Sequence, residues 1–266
     1  MSDTTLLIDT DIIAYRVACR HEQATAFGKV VSDIDTALAT ADEVVAEFTE
    51  LLKADRVILC LSDGPQGGTT ADSQTPEFNF RYGVLPTYKG NRKAVERPEL
   101  LAALKLYYAE EYESKGYPAL EADDVMGVLA THPHLIPGKK IIVSEDKDMR
   151  TIPGFLYAPH RASLGVIEIS ELDADRFHLW QTICGDATDG YSGAKGVGPA
   201  SEYALDIIGA DREELWDITW QAFASKKLNE ADAIQQAQCA RILRAEDFDI
   251  RSKEIKLWLP EMLEHG

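Results

Sequence analysis

Three carboxylates lie within four residues at the start of an apolar segment, residues 119–131. Glu121, Asp123 and Asp124 precede Val125 and Met126, a pattern typical of the first turn of a buried helix. The backbone dipole favours acids at this position, and for this segment alone capping is the favoured interpretation. Three acids at one helix end also repel each other, so a bound cation becomes the better explanation if further acids converge there.

Further carboxylates follow predicted strands. Three short apolar segments end at or just before an acid: 5–9 at Asp9, 56–61 before Asp63, and 140–144 before Asp146. The carboxyl ends of such strands line the functional crevice of an open α/β sheet. Asp186 and Asp189 stand between glycines and could equally be turn formers. The candidate constellation is Asp9, Asp63, Glu121, Asp123, Asp124, Asp146, Asp148, Asp186 and Asp189.

This constellation predicts a particular metal chemistry. Oxygen-only ligands suit Mg²⁺ or Mn²⁺ better than zinc. So many acids exceed the need of one ion, and two ions about 3.5–4 Å apart are the usual reason for such a cluster, where they promote phosphoryl transfer to water. For any single acid, a cap or a solvated loop residue is an equally good interpretation. The recurrence of an acid after a strand or at a helix start favours a two-metal centre for the set.

The elements that must position these acids alternate between strands and helices over residues 1–170. This alternation predicts an α/β domain with a mainly parallel sheet covered on both faces. Asp35 is predicted to cap a long amphipathic helix, and Pro98 to open a helix that runs to about Lys115. Residues 64–87 are rich in Gly, Thr, Ser and Pro and predict a loop. From about Glu171 the pattern becomes helical, so 171–266 is predicted as a second region.

Composition sets limits on the class of protein. The chain has 266 residues, of which 45% are apolar and 27% charged, as in ordinary globular proteins. No apolar run approaches the ~20 residues that span a bilayer, and no signal peptide is recognisable. The four scattered cysteines form no metal spacing, which favours a reducing cytoplasm. The net charge of −18 argues against nucleic acid unless divalent ions neutralise many of the acids.

Two segments are candidates for binding DNA. Lys89, Arg92 and Lys93 form the densest basic run and could hold a phosphate, although a solvated loop is the alternative. Tyr88 could stack a base or serve as a core anchor. The glycine-rich segment 193–200 could bring its backbone close to a phosphate through Lys195, Gly196 and Gly198, the alternative being a plain interhelical turn.

Six motifs together resemble those of one family. They are LLID (6–9), YKGNRKAV (88–95), EADDVMGV (121–128), DKD (146–148), GDATDGYSG (185–193) and ARILR (240–244). These motifs are similar to the flap endonuclease/5′→3′ exonuclease family, which includes the 5′-nuclease domain of bacterial DNA polymerase I and the gene-six exonucleases of T-seven-like phages. The similarity extends to residues 257–260 and so covers nearly the whole chain.

The resemblance implies both a fold and an activity. The fold would be a Rossmann-like sheet of the PIN/5′-nuclease type, with a helical arch at about 64–115 and a helix–hairpin–helix at about 180–210. The activity would be metal-dependent hydrolysis of duplex DNA from 5′ ends or at flaps, together with removal of RNA primers from an RNA–DNA hybrid. The protein would act as a monomer without membrane contact, in the host cytoplasm if it is encoded by a phage.

The resemblance also implies roles for individual residues. Two Mg²⁺ or Mn²⁺ ions would be held by a first site of Asp9, Asp63, Glu121 and Asp123, with Asp124 close by, and by a second site of Asp146, Asp148, Asp186 and Asp189. Lys89 and Arg92 would be catalytic at the base of the arch, and a K⁺ ion at the hairpin is a further expectation.

Two features depart from the family pattern, and two rival interpretations stay open. Asp11 stands where most members carry a small polar residue, and the segment after the hairpin is acidic. One rival is a haloacid-dehalogenase-type phosphatase, with Asp9 and Asp11 in its nucleophile motif, Ser62 in its second motif, and Asp186 and Asp189 as its metal acids. It would leave Glu121, Asp123, the basic run at 88–93 and the hairpin without a role. The other is a non-catalytic DNA-binding module built on the hairpin.

Overall fold

A computed structural model of the protein describes residues 3–25, 28–62, 77–91 and 97–265. The strands in chain order are β1 (Thr4–Asp9), β2 (Glu22–Thr25), β3 (Gly28–Val31), β4 (Arg56–Cys60), β5 (Ser114–Lys115), β6 (Lys139–Val143), β7 (Gly154–Tyr157) and β8 (Val166–Ile169). The α-helices are α1 (Thr10–Arg20), α2 (Ile34–Leu51), α3 (Arg81–Val84), α4 (Leu101–Glu111), α5 (Ala122–Thr131), α6 (Glu171–Cys184), α7 (Glu202–Gly209), α8 (Leu215–Ala224) and α9 (Glu230–Ala240).

Six of these strands form one sheet in the order β5-β4-β1-β6-β7-β8. All neighbours in it are parallel except β7 and β8, which are antiparallel. The predicted α/β class with a mainly parallel sheet is therefore confirmed. The separate β2–β3 hairpin was not predicted, because residues 22–31 carry neither alternating hydrophobicity nor a compact turn motif.

Side chains of the central strand β1 alternate between the two faces of the sheet. Leu7 packs into a core shared with α5, whereas Leu6 and Ile8 pack into the opposite core, which α1, α2 and α4 cover. Each of these three leucine or isoleucine side chains is fully buried. A strand buried on both faces brings its terminal residue, Asp9, to the carboxyl edge of the sheet.

Two helix boundaries differ from the predictions. The side chain of Asp33, not that of Asp35, caps α2 by accepting the N–H of Thr36 at 2.9 Å. Helix α4 ends at Glu111, and Lys115 belongs to the sheet.

The expected arch at about 64–115 is wrong for its C-terminal part. Leu104 and Tyr108 of α4 are fully buried against α1 and α2, so α4 is a covering helix of the α/β domain. The ranges 63–76 and 92–96, which hold part of the rest of the expected arch, lie outside the described residues.

The helices α6 to α9 surround a core of their own, which includes Leu179, Ile183 and Phe223. The segment that follows α9 then returns to the first region, where Ile242 and Leu243 pack with α5. Gly127 permits this approach, since a Cβ added there would lie 2.2 Å from the carbonyl oxygen of Leu243. The helical region thus both carries its own core and covers α5.

Candidate metal centre

The first group of acids lies at the carboxyl ends of β1 and β6 and at the N-terminus of α5. Asp9 caps α1 by accepting the N–H of Ile12 at 3.2 Å, and its second oxygen accepts the hydroxyl of Ser144 at 3.1 Å. Burial raises the pKa of Asp9 to about 7, and the nearby charges of Asp11 and Asp146 add to that rise. Charges interact this strongly only when they are close and poorly solvated.

Asp123 belongs to the same group. Desolvation raises its pKa well above the usual value, and the charges of Asp9, Asp146 and Glu121 raise it further. The charges of three other predicted ligands therefore act on Asp123 at the carboxyl edge of the sheet, as the strand-end pattern predicts.

The second group forms around a 3₁₀ turn, Lys147–Thr151, and the loop that follows α6. Burial raises the pKa of Asp148 to about 6, and the charge of Asp146 is the next largest cause, ahead of Asp189 and Asp186. Asp186 behaves differently. Burial opposes its ionisation, but Lys147 and the backbone N–H groups of Thr188 and Asp189 lower its pKa overall. The charge of Asp146 acts on members of both groups.

Tyr88 and Lys89 connect the two groups. The hydroxyl of Tyr88 lies 3.2 Å from Glu121 Oε2 and 2.9 Å from Asp189 Oδ2. The ammonium of Lys89 pairs with Glu121 and lies 3.9 Å from Asp189 Oδ1, and the Lys89 N–H donates to the Asp189 carbonyl at 2.7 Å. Lys89 is only 8% exposed. A buried ammonium between acids of both groups offsets part of their repulsion.

The arrangement fits divalent cations in its chemistry. All the donors are carboxylate oxygens, and burial together with neighbouring acids raises the pKa values of Asp9, Asp123 and Asp148, a penalty that a bound cation would relieve. Within the described ranges, no three His, Cys, Asp or Glu side chains converge closely enough to hold an ion as they stand. Lys147 lies 2.5 Å from Asp186 Oδ2, so this lysine, like Lys89, holds an acid that an ion would need. Binding would therefore require these side chains to rearrange.

Asp124 is a correction to the predicted ligand set. Its side chain is fully buried, and Arg81 donates to both of its oxygens at 2.7 and 2.8 Å. The carboxylate also accepts the N–H groups of Glu121 at 3.2 Å and Leu243 at 3.1 Å. With its hydrogen-bonding capacity occupied in this way, Asp124 anchors the start of α5 instead of facing an ion.

The predicted stacking of Tyr88 on a base is also wrong. Tyr88 is 2% exposed, and its ring packs edge-on against Tyr82 with 5.9 Å between centroids. The residue is the core anchor that the alternative interpretation described. The predicted ligand Asp63 and the predicted DNA contacts Arg92 and Lys93 lie outside the described residues.

Sequence reasoning missed the side chains that orient these acids. The amide of Gln181, which is 1% exposed, donates to Asp148 Oδ1 at 2.5 Å, and Ser144 donates to Asp9. The position of Lys147 between two acids of the DKD motif could have identified it from the sequence. No local pattern identifies Gln181, because its partner is 33 residues away.

The segment between α6 and α7 presents its glycines at the surface. Lys195, Gly196 and Gly198 are exposed, while Ala194 and Val197 are buried in the core of the helical region. Gly196 has a φ of +83°, and a Cβ added at Gly198 would meet nothing within 4 Å. The predicted hairpin is therefore held by two apolar side chains and leaves its backbone accessible.

Removing the metal should make stability depend on pH through Asp9. The folded-state pKa of about 7 lies well above the ordinary value for an aspartate, so ionising Asp9 destabilises the metal-free fold as pH rises through 7. In EDTA, Asp9→Asn should therefore melt about 5 °C above the wild type at pH 8, and the difference should shrink at pH 6. Asparagine keeps the helix cap.

The comparison with a variant at each pH controls for other titrating groups. Burial lowers the pKa of His178 well below its usual value, so His178 favours unfolding as pH falls and opposes the effect of Asp9. Excess Mg²⁺ should raise the wild-type melting temperature more at pH 8 than at pH 6. If the wild type and Asp9→Asn had the same melting temperature in EDTA at pH 8, ionised Asp9 would not destabilise the metal-free protein as we expect.

Comparisons with known proteins bear on what this centre does. No protein-family model matches the chain. The exonuclease of Escherichia phage T7 is 37% identical to it, over 70% of this chain and 72% of the phage protein. The exodeoxyribonuclease of Enterobacteria phage T3 is 36% identical over the same shares. The flap endonuclease Xni of Shewanella oneidensis is 31% identical, over 48% of this chain and 53% of its own.

This chain belongs to the flap endonuclease/5′→3′ exonuclease family. As a member of it, the protein is a metal-dependent nuclease, and both rival interpretations are set aside.

Solved structures agree with the family fold. A structure of T5 5′-exonuclease with bound zinc has a TM-score of 0.56 at 15% identity and covers 89% of this chain and 93% of its own. A T5 flap endonuclease complex with DNA and metal ions has a TM-score of 0.51 at 17% identity, over 89% of this chain and 90% of its own. Among the described residues, no helix has the length and apolar character to cross a bilayer.

Proposed function

We propose that the two groups of acids are the two metal sites of this nuclease, which hydrolyses duplex DNA from 5′ ends and at 5′ flaps. The first site comprises Asp9, Glu121 and Asp123, with Asp63 as a predicted member. The second comprises Asp146, Asp148, Asp186 and Asp189. The observation that carries the proposal is the contact of Tyr88 and Lys89 with acids of both groups, Glu121 in the first and Asp189 in the second.

The cations are proposed to be Mg²⁺ or Mn²⁺, because every donor is a carboxylate oxygen. Such ions promote the attack of water on a phosphate and stabilise the charge that develops there. The protein itself fixes the positions of the carboxylates through hydrogen bonds. Asp9 is fixed by its cap and by Ser144, and Asp148 is fixed by Gln181. These contacts orient the carboxylates before a substrate arrives.

Lys89 is proposed to act on the phosphate itself. In the metal-free arrangement Glu121 holds its ammonium. A cation held by Glu121 would compete with Lys89 for that carboxylate, and the Lys89 ammonium would then be able to contact a phosphate oxygen. Arg92 and Lys93, three and four residues further along the chain, are proposed to assist in holding the same strand. A positioned cation of this kind acts mainly on charge that appears in the transition state.

One digestion series tests the proposal. Duplexes with 5′ or 3′ labels, a 5′-flap substrate and an RNA–DNA hybrid are incubated with Mg²⁺, Mn²⁺ or EDTA. We expect product from the 5′ end of the duplex, cleavage of the flap, removal of RNA from the hybrid and no reaction in EDTA. Full activity in EDTA, or release from 3′ ends only, would overturn the proposal. Sedimentation of the purified protein tests the proposed monomer.

The hairpin at 193–200 is proposed as a second anchor for the duplex, with K⁺ as a candidate ion. Gly198→Val should weaken binding of a long duplex about tenfold, the value of one charge-assisted hydrogen bond. The reason is that a side chain would fill the open space over this backbone, while the fold has room for it. For short duplexes that end before the hairpin, Gly198→Val should have the same affinity as the wild type.

The measurement is affinity against salt concentration in Ca²⁺, on long and short duplexes. Gly209→Ala, at the other end of α7 and also in open space, is the matched control. Equal loss on both lengths would show that the hairpin is purely structural. The acidic surface beyond the hairpin leads us to expect a shallow salt slope, on the order of a few phosphates.

A further inference from the structure

Asp11 is bonded into a network that begins in α4. It lies in the first turn of α1, two residues after Asp9, and one of its oxygens accepts the hydroxyl of Ser62. Its other oxygen lies 2.5 Å from the ammonium of Lys105, which is 3% exposed within α4. A buried ammonium with a carboxylate partner is a paired charge, and removing either partner leaves the other uncompensated.

The network continues from Ser62 to the start of α5. The oxygen of Ser62 accepts the N–H of Ala122 at 3.1 Å, and Ala122 stands between Glu121 and Asp123. An ionised carboxylate only accepts hydrogen bonds, so Ser62 must donate its single proton to Asp11 and accept from Ala122. The direction of every bond from Lys105 to α5 is therefore fixed.

An acid at position 11 needs an explanation, because it adds negative charge beside an already crowded group. An additional carboxylate near Asp9 increases the repulsion that Asp9 already experiences. Lys105 cancels that charge while leaving Asp11 able to accept from Ser62. A carboxylate paired in this way can fix two neighbouring segments without changing the net charge of the site.

We propose that Asp11 and Lys105 form a neutral positioning pair, which through Ser62 holds the first turn of α5 in register with Asp9 at the first metal site. This inference rests on the proposed function, since it assigns both residues to that site. Neither residue contacts substrate or metal. They act through Ser62 and the backbone of Ala122, which set the spacing between Asp9 and the acids on either side of Ala122.

The two halves of the pair should have opposite effects on metal affinity. Asp11→Asn leaves the charge of Lys105 uncompensated and should weaken binding of Mn²⁺ to the DNA-free protein about tenfold. Lys105→Met leaves the charge of Asp11 uncompensated and should tighten binding roughly threefold. The double variant is neutral again and should bind within about twofold of the wild type. A merely structural pair would not reverse the sign.

The cleavage rate tests the positioning of α5, whereas Mn²⁺ affinity tests the charge of the pair. Ser62→Ala keeps both charges and removes the link to Ala122, so single-turnover cleavage in saturating Mg²⁺ should fall about tenfold while Mn²⁺ affinity stays within about twofold. All three single variants should lower the maximal rate, with little change in the concentration of duplex that gives half of it.

The experiment measures Mn²⁺ binding by electron paramagnetic resonance on the full chain, together with single-turnover rates. Arg56→Met is the matched control, because Arg56 pairs with Glu113 at 2.5 Å at the opposite end of β4. Thermal melting identifies any variant that fails to fold, and the double variant tests the pair even if Asp11→Asn does not fold.

Three outcomes separate the hypotheses. Single variants that shift Mn²⁺ affinity in the same direction, or a double variant that binds worse than both, would overturn the pair. If Ser62→Ala cleaved DNA at the wild-type rate, the proposed link from Asp11 to α5 would be wrong. If the wild-type protein neither bound Mn²⁺ nor cleaved DNA, the proposed function itself would be contradicted.

Discussion

The variant Asp146→Asn should lose at least about 10³-fold in single-turnover cleavage while keeping its fold. Asp146 is the acid whose charge acts on both groups, on Asp9 and Asp123 in one and on Asp148 in the other. Its structural contact survives the change, because the amide oxygen of asparagine can still accept the N–H of Asp148, now at 2.8 Å from Asp146 Oδ1. The loss should therefore reflect chemistry and not unfolding.

The measurement is cleavage of a 5′-labelled duplex with enzyme in excess, in saturating Mg²⁺. Asp35→Asn, an exposed acid in the first turn of α2, is the matched control and should retain full activity. Melting in EDTA should show Asp146→Asn to be at least as stable as the wild type, since one repelling charge is gone. Activity within tenfold of the wild type would remove Asp146 from the centre.

The second large effect is expected at Lys89. Lys89→Met should lower single-turnover cleavage by roughly 10²–10³-fold, the range for loss of a group that stabilises transition-state charge. Duplex affinity in Ca²⁺ should change only about threefold, because one ammonium contributes little to ground-state binding. Methionine preserves the length and the apolar contact of the stem with Tyr88, over whose ring the ammonium lies at 5.0 Å.

Two further variants complete the test of Lys89. Lys89→Arg keeps a positive charge and should recover part of the rate. Lys29→Met removes a lysine that pairs with Glu22 at 2.5 Å in the β2–β3 hairpin, and it should leave the rate unchanged. If Lys89→Met weakened binding as much as cleavage, the residue would serve to attract DNA and not to assist the reaction.

The acids of the centre could be predicted because their positions follow from local rules. An acid after a buried strand of a parallel sheet reaches the carboxyl edge whatever the rest of the chain does, which covers Asp9 and Asp146. Asp186 similarly follows a helix end at Gly185, whose φ of +71° turns the chain. The accessible backbone at Gly196 and Gly198 could be anticipated for a related reason, since glycines mark backbone that no side chain obstructs, while its role as a DNA-binding hairpin stays a prediction.

The partners of these acids could not be predicted in the same way. Asp124 and Arg81 are 43 residues apart, and nothing near either one distinguishes a ligand from a buried ion pair. The pattern around Lys105 is that of an ordinary helix, so its burial beside Asp11 depends on how α4 packs. The arch prediction was wrong for α4 for the same reason: propensity identifies a helix but not the surface that it covers.

The return of the chain after α9 has a consequence for protein synthesis. Arg81 donates to the carbonyls of Cys239 at 3.0 Å and Arg241 at 2.5 Å, and Asp124 accepts from Leu243. A nascent chain that has not yet released these residues from the ribosome exposes the Arg81–Asp124 pair and leaves α5 uncovered. Glu121 and Asp123 are then not held in place. We therefore expect the centre to assemble only after residues 239–243 have left the ribosome, so that shorter nascent chains lack an ordered first site.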